Sequence, residues 1–450
     1  MRAGEATAAQ AFAVPILRDW LVVDRSFLVK ALMNGAALAA LREGAAEAGL
    51  MSELGRALDE YGARPVPLQT GPADPPFLGI IPTRDCNAAC KYCAFADARE
   101  PGQMSPELAR AAVDSMASLL ASAGRSTLAV HFFGGEPLVA ADVVRVAVAS
   151  ARAAALERGL GARFEIATNG VVDERVRRFL AQEFDLVVLS LDGAREAHDL
   201  HRPMASGLGS FEAAARTARV LSEGPCELCL RVCVSEANVA FLPEIVSWFA
   251  EAFHPSSIDV EPLRPSDRSR RHLLRAPDPY RFASSFRRAA AVGRRRGIEV
   301  LYAAAQIAKA PRSSLCPVGE DAFIVSPEGE IRACYLPPRE WETRGLDLVL
   351  GRFEGSGFHI EPERLSAVRS LVRDKPGCER CFCRWSCAGG CHVSHVSPAL
   401  SDAYDDSCVA TRILTACALL DVIGSSEVAD ALVASREGME ALALAGCDRL

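Results

Sequence analysis

Several features are missing from this sequence of 450 residues. No uncharged apolar run reaches membrane-spanning length, so no spanning helix is expected. The opening stretch, MRAGEATAAQAFAVPILRDW, lacks a clean apolar core and a cleavage site, so no secretory signal is expected either. There is no basic excess. The formal net charge of −7 weighs against nucleic acid as the main partner. No low-complexity tract interrupts the chain. The expectation is a soluble, cytoplasmic protein that binds neither membrane nor nucleic acid. Its length favours two or three domains, and 50% apolar residues suffice for sizeable cores.

Cysteine, by contrast, is abundant, with 16 residues. A reducing cytosol argues against a disulfide framework, and clustered spacing then points to metal. Cys86, Cys90 and Cys93 crowd into DCNAACKYC, just after the apolar stretch FLGII. Two of them could close a disulfide, but one would be left over. Three thiolates at one point suit a metal centre that keeps one coordination position free.

Residues 1–75 read as a small separate unit. WLVVDRSFLV has the pattern of a strand or hairpin, and helices are expected over NGAALAALREGAAEAG and MSELGRALDEYG. QTGPADPP, residues 69–76, reads as a linker. Over residues 76–300, apolar runs alternate with amphipathic ones. Strands are expected at 77–81, 128–133, 164–168, 186–191, 228–234 and 257–263. Helices are expected at 106–123, 141–159, 173–183, 210–223, 239–252 and 279–297. This rhythm predicts an α/β fold, a parallel sheet curled into a full or partial barrel with helices outside. In such a barrel the chemistry lies at the strand C-terminal ends. The cysteine triplet, Gly134-Gly135-Glu136-Pro137, Asn169-Gly170 and Ser190-Leu191-Asp192-Gly193 all fall there. Residues 301–408 lose the helical rhythm and are rich in cysteine. A helical tail is expected over 409–450.

The C-x3-C-x2-C spacing, with Tyr92 before the last Cys, resembles the radical S-adenosylmethionine (SAM) superfamily. The resemblance implies a partial (β/α)6 TIM-type barrel. It also implies a [4Fe–4S] cluster on Cys86, Cys90 and Cys93 whose open iron binds SAM. Reductive cleavage of SAM would then give a 5′-deoxyadenosyl radical that abstracts hydrogen from substrate. By the same resemblance, Glu136 in the GGEP motif, with Gly134 and Gly135, would hold the SAM amino group. Asn169, Ser190 and Asp192 would lie around its ribose and methionine, and Arg231 would bind its carboxylate. Strand alternation places Cys229, Arg231 and Cys233 on one face and Cys226 on the other. Cys233 is then either a hydrogen-atom donor to a substrate radical or a small buried apolar residue. His198, Asp199 and Arg202 either support the site or form a surface salt-bridged helix start.

The second cysteine region resembles the SPASM extension of these enzymes, which carries two auxiliary [4Fe–4S] clusters. The resemblance implies that Cys378, Cys381, Cys387 and Cys408 hold the outer cluster and Cys316, Cys334 and Cys391 the inner one. Relatives have a further Cys shortly before the position of Cys316. Here YAAAQIAKAPRSSL has none, so the inner cluster would have an open iron or a non-Cys ligand. Cys383 is a ligand or donor, or a spare thiol. Zinc is the competing occupant for paired C-x2-C motifs.

SPASM enzymes mostly modify peptides or proteins. In the sulfatase-maturating branch an Asp follows the Cys matching Cys334, whereas here Tyr335 follows. The expected reaction is therefore an oxidative thioether or C–C crosslink in a ribosomally made precursor peptide. Epimerisation and formylglycine-type maturation are the alternatives, and a non-catalytic iron–sulfur electron carrier is the alternative of another class. Residues 19–62 loosely resemble a winged-helix leader-recognition unit, in which a leader adds as an edge strand. The basic stretch from Arg264 to Arg296 is either a site for an acidic peptide or electron donor, such as flavodoxin or ferredoxin, or a solvated helix face.

Overall fold

The computed structural model describes residues 11–44, 49–64, 69–97, 102–306, 311–316, 318–355, 357–371, 375–394, 404–444 and 448–450. Residues 45–48, at the end of the first expected helix, lie outside them. So do 307–310 of YAAAQIAKAPRSSL and 445–447 of the tail.

The N-terminal unit is an antiparallel sheet of β1 (Ala11–Ile16), β2 (Asp19–Asp24) and β3 (Lys30–Asn34), followed by helices Gly35–Arg42 and Leu50–Ala63. The reading of the sequence found β2 but missed β1, AFAVPI, which contains a proline and sits beside an uninformative start. Asp24 fixes the turn between β2 and β3. Its carboxylate accepts from Ser26 N–H at 2.8 Å and from Val29 N–H at 2.6 Å. Phe27, in the left-handed region at φ 58°, then faces Phe382 across 6.4 Å between ring centroids.

The main sheet begins with β4 (Leu78–Ile80), β5 (Thr127–Phe132), β6 (Gly161–Thr168), β7 (Leu186–Ser190), β8 (Glu227–Val234) and β9 (Ser257–Pro262). These six strands are parallel and adjacent in chain order, as the alternation predicts. The sheet continues at both ends. The short strand β10 (Glu299–Leu301) pairs parallel with β9, and β11 (Phe323–Val325) pairs parallel with β4. β12 (Glu330–Arg332), β13 (Val349–Glu354) and β14 (Gly357–Ile360) extend it antiparallel. Apart from β13, the added strands have only three or four residues, too few to give a pattern by themselves.

Local sequence explains the helices between strands. Ser105 caps Pro106–Ser122 by accepting from Leu108 N–H, with Pro106 in the first turn. Asp278 and Pro279 do the same for Pro279–Arg296, and Gly297 ends that helix in the left-handed conformation. Along β8 the positions Leu228, Leu230, Val232 and Val234 are buried in one cluster with Ala214, Ala215, Ala218 and Leu221 of the helix Phe211–Ser222. The alternate positions, Cys229, Arg231 and Cys233, therefore face the inside of the curved sheet.

The C-terminal residues form helices Asp406–Val422, Ser426–Ala434 and Arg436–Leu444. The first two are tied to the last barrel helix by Arg287, which pairs with Asp421 at 3.0 Å and Asp430 at 2.6 Å. The chain then ends in a strand, β15 (Asp448–Arg449), antiparallel to β1. The small sheet has the order β15–β1–β2–β3, which leaves β3 at its outer edge. No helix among the described residues is long and apolar enough to cross a membrane.

Candidate iron–sulfur and SAM site

The cysteine loop, residues 83–93, is gripped from two sides. On one side, Gly135 N–H donates to Thr83 O at 3.1 Å and Glu136 N–H to Asp85 O at 2.8 Å. A Cβ on Gly135 would stand 2.2 Å from Asp85 O and 2.5 Å from Arg84 O. Gly134, at φ 146°, would place a Cβ 2.7 Å from Thr83 O. The two glycines thus let the end of β5 touch the backbone of the cysteine loop. A Gly135→Ala variant is expected to keep its helical circular dichroism but lose about one cluster's worth of iron. Iron and sulfide counts equal to wild type would remove this role from Gly135.

The stretch after His201 holds the loop from the other side. Ala89 N–H donates to Pro203 O at 2.7 Å, Lys91 N–H to His201 O at 2.9 Å, and Ala205 N–H to Asn87 O at 2.9 Å. Arg268 donates to Cys90 O at 2.8 Å and Ala89 O at 3.3 Å. The basic stretch is therefore partly used inside the protein, with Arg268 on this loop and Arg287 on the C-terminal helices.

N–H donors already surround the sulfurs. Ala88 N–H lies 3.4 Å from Cys86 Sγ, and Asn169 Nδ2 lies 3.7 Å from it. Arg202 Nη1 lies 3.9 Å from Cys90 Sγ. Burial pushes the Cys90 thiol up to about 12, with Cys93 and Cys86 adding and Arg202 opposing. Donors directed at sulfur, in a setting that penalises free thiolates, fit cysteines that bind iron.

Asp192 is the hub beneath this loop. It is fully buried. Its Oδ2 accepts from Tyr92 Oη at 2.9 Å, His201 Nδ1 at 3.2 Å and Arg202 Nε at 3.0 Å, and its Oδ1 accepts from Cys233 N–H at 3.0 Å. Burial acts to raise its pKa. Arg202 and then His201 outweigh burial and hold the carboxyl well below the usual range. Glu136 is also buried, and three donors occupy its oxygens. Leu138 N–H (3.1 Å) and Thr168 Oγ1 (2.8 Å) reach Oε1, and Asn169 N–H (2.7 Å) reaches Oε2. Both carboxylates thus spend most of their acceptors on the frame. Ser190 and Arg231 lie at paired positions on β7 and β8. Arg231 is exposed to the inside of the sheet, with Asp259 at 3.3 Å. Cys233 is half-buried, within hydrogen-bond reach of the Tyr92 hydroxyl, and burial pushes its thiol far up. His198 and His201 are buried, so one face of the stretch AHDLHR lies under the site, while Leu200 on the other face is exposed.

Residues 80–233 match the model of the Radical SAM superfamily. The chain carries a radical SAM domain. It is similar to the cysteine-type anaerobic sulfatase-maturating enzyme of Clostridium perfringens (strain 13 / Type A). The two are 23% identical over 338 residues, 70% of this chain and 88% of that protein. An AdoMet-dependent heme synthase of Oleidesulfovibrio alaskensis is 27% identical over 171 residues, 36% of this chain and 39% of the relative. Among solved structures, anSMEcpe with bound AdoMet and the Cp18Cys peptide superposes with TM-score 0.61 at 20% identity, over 79% of this chain and 99% of that one. Streptococcus suis SuiB bound to S-adenosylmethionine gives 0.52 at 12%, over 87% and 96%. At these identities the structures speak to fold alone. Radical SAM enzymes use a [4Fe–4S] cluster and SAM.

Two further thiol groups lie beyond the radical SAM domain. Cys316, Cys334 and Cys391 come together with Arg264. Each thiol feels Arg264, and Cys391 also feels its partners Ser394 and Val393. Arg264 itself donates to Ser394 Oγ at 2.7 Å. Cys378, Cys381, Cys387 and Cys408 form the other group, in which Cys408 feels the remaining three. Asp405 caps the helix Asp406–Val422 by accepting from Cys408 N–H at 2.8 Å, which fixes that cysteine in the first turn. Cys383 is fully buried beside Cys381 and hydrogen-bonds to it. Buried donors with no partner among the described residues, Arg384 Nε and Trp385 Nε1, lie in the same turn. Sulfides of a cluster would supply the acceptors they lack. Among the described residues, no three Cys, His, Asp or Glu side chains close on a single-ion site. A cubane cluster, being larger than one ion, needs its thiolates spread apart.

Arg202 was expected either to support the site or to sit on a surface helix start, and the structure places it on Asp192 and beside Cys90. Arg264 and Arg412 were not legible as site residues from spacing, because each is a lone arginine reaching a distant cysteine. Glu261 was missed for the same reason. It pairs in register with Cys233 on the inner face, and its Oε1 accepts from Ala303 N–H at 3.3 Å.

Proposed function

We propose that this radical SAM enzyme abstracts hydrogen from a ribosomally made precursor peptide and oxidises it to a thioether or C–C crosslink. Cys86, Cys90 and Cys93 would hold the first [4Fe–4S] cluster. Cys316, Cys334 and Cys391 would hold the inner auxiliary cluster, and Cys378, Cys381, Cys387 and Cys408 the outer one. With SAM bound, the first cluster supplies a 5′-deoxyadenosyl radical. Ser190 and Arg231 face the space where SAM would lie. Asp192, Glu136, Tyr92, Asn169 and the two glycines set the loop that carries the cluster. A flavodoxin or ferredoxin would deliver the electron.

The observation that carries the peptide reading is the open edge of β3. A leader segment adds there as a further strand by main-chain hydrogen bonds. The turn that precedes β3 rests on Phe382 of the cysteine-rich region, so a leader on this edge sits beside the catalytic body. Similarity to a cysteine-type sulfatase-maturating enzyme favours a second reading, oxidation of a protein side chain. Tyr335 weighs against it. Burial pushes this phenol far up, and its hydroxyl is buried without a partner among the described residues, so it cannot serve as a base at neutral pH. Of the two inner-face carboxylates of β9, Asp259 is paired with Arg231, and Glu261 would take the proton instead. Burial, then Asp259, raises its pKa, which suits a proton acceptor.

The test is an intact mass on a candidate peptide encoded beside this gene, treated with the reduced, cluster-loaded enzyme and SAM in deuterated water and returned to ordinary water before analysis. Loss of two hydrogens is the expected result. Unchanged composition with one deuterium at an α-carbon would overturn crosslinking in favour of epimerisation, with Cys233 as the hydrogen donor.

A further inference from the structure

We propose that Arg412, together with Lys375, makes the outer auxiliary cluster the more easily reduced of the two auxiliary clusters. The proposal rests on the three-cluster reading above.

Arg412 lies on the helix Asp406–Val422, one turn after Cys408, and is 1% exposed. Its Nη1 lies 3.4 Å from Cys381 Sγ, and its Nη2 donates to Leu442 O at 3.1 Å. The guanidinium also stacks over Tyr404 at 4.2 Å and Phe382 at 5.4 Å. Lys375 is buried and donates to Gly389 O at 2.6 Å. Its ammonium acts on Cys378, Cys387, Cys391 and Cys408. An N–H to a ligand sulfur and a nearby positive charge both favour the reduced, more negative cluster and raise its potential.

The charges differ from one cysteine group to the next. Around the outer group stand Arg412, Lys375 and Arg384, opposed by Asp405. Around the inner group stands Arg264, opposed by Glu320 and by Glu261, 4.0 Å from it. Lys375 reaches Cys391 as well, but its other three contacts are all outer ligands. At the first cluster, Arg202 is already neutralised by Asp192 at 3.0 Å. The most cationic surroundings are therefore the outer ones. An electron placed on the inner cluster would move outward, with the inner cluster reoxidised, the outer one reduced and no proton transferred. The helices after residue 405 thereby belong to the redox site, because they present both Cys408 and Arg412.

The experiment is a potentiometric titration of the full-length, cluster-reconstituted protein, followed by electron paramagnetic resonance. In Arg412→Met, one auxiliary signal should lose about tenfold in its reduced-to-oxidised ratio at fixed potential, which is about 59 mV for a one-electron couple. The other two signals should stay in place, and Arg412→Lys should shift less. Lys375→Met leaves the C-terminal helices untouched and should move the same signal in the same direction, even where Arg412→Met fails to hold iron. Full iron content with no shift in either variant, or an equal shift of all signals, would overturn the proposal alone. Wild-type protein holding iron for one cluster would overturn the three-cluster reading and the proposal with it.

Discussion

Cys93→Ala is expected to bring 5′-deoxyadenosine formation down to background while the protein keeps about two thirds of its iron. Cys86, Cys90 and Cys93 are the cysteines between the end of β4 and the helix Ala94–Asp97, and no fourth thiol of that segment can replace a lost ligand. Cys93 closes the turn through its N–H to Cys90 O at 3.3 Å. That bond is made by the backbone and survives the substitution. The loss therefore falls on iron binding and not on the fold. Under the three-cluster reading proposed above, the two auxiliary groups draw on residues beyond 315 and should retain their clusters. Quantified iron, with chromatographic detection of 5′-deoxyadenosine under dithionite, reads both effects. Deoxyadenosine formation at the wild-type rate in Cys93→Ala would remove this loop from the chemistry. Wild-type protein with full iron that never forms deoxyadenosine would leave only an electron carrier.

The sequence was legible where chemistry imposes a spacing or a period. The six central strands and their helices lie within a few residues of the expected ranges, because buried parallel strands alternate with amphipathic helices. The cysteines are legible because a cluster needs several thiolates at short intervals. What spacing cannot show is the support. Gly135 reads as a ligand cradle in the sequence, yet its close neighbour is the cysteine loop itself. Asp192 reads as a cofactor contact, yet its four hydrogen bonds tie Tyr92, His201, Arg202 and Cys233 together. AHDLHR left site support and a surface helix start both open; its two histidines are buried because each finds a partner inside, while Leu200 is exposed. The final strand β15 is two residues long, and only pairing with β1 gives it meaning.

Asp192→Asn is the second large effect, expected to destabilise the protein by about 3 kcal/mol, the lower end of the range for breaking a buried charge pair, because Arg202 keeps some exposure. Asparagine keeps the shape but turns one oxygen into an NH2 group among donors, leaving Arg202 without its counter-charge. Tyr92 and Cys233 N–H compete for the acceptor that remains, so the cysteine loop should loosen too. The pH dependence separates this effect from a generic loss of packing. The Asp192 carboxyl is held below its ordinary value, so its contribution is present above that value and is lost only as pH falls through the lower, folded one. His198 adds a limb at higher pH. Its Nδ1 accepts from Asp192 N–H at 3.2 Å, and its Nε2 lies 2.9 Å from Ser210 Oγ, whose own proton goes to Arg202 O. The ring must be neutral to do both. Burial lowers it from 6.5 to about 4, with Asp192 and Asp199 pulling it back up and Arg202 and His201 adding to the fall. Between those values the unfolded chain binds a proton that the folded chain refuses, so stability declines as pH drops from 6.5 towards 4, by up to about 3 kcal/mol from this group. Denaturant unfolding at pH 7 and pH 5 should show that decline in both proteins, with the Asp192→Asn midpoint lower at each pH. Equal midpoints for variant and wild type at pH 7 would mean that the carboxylate is not the hub of the site.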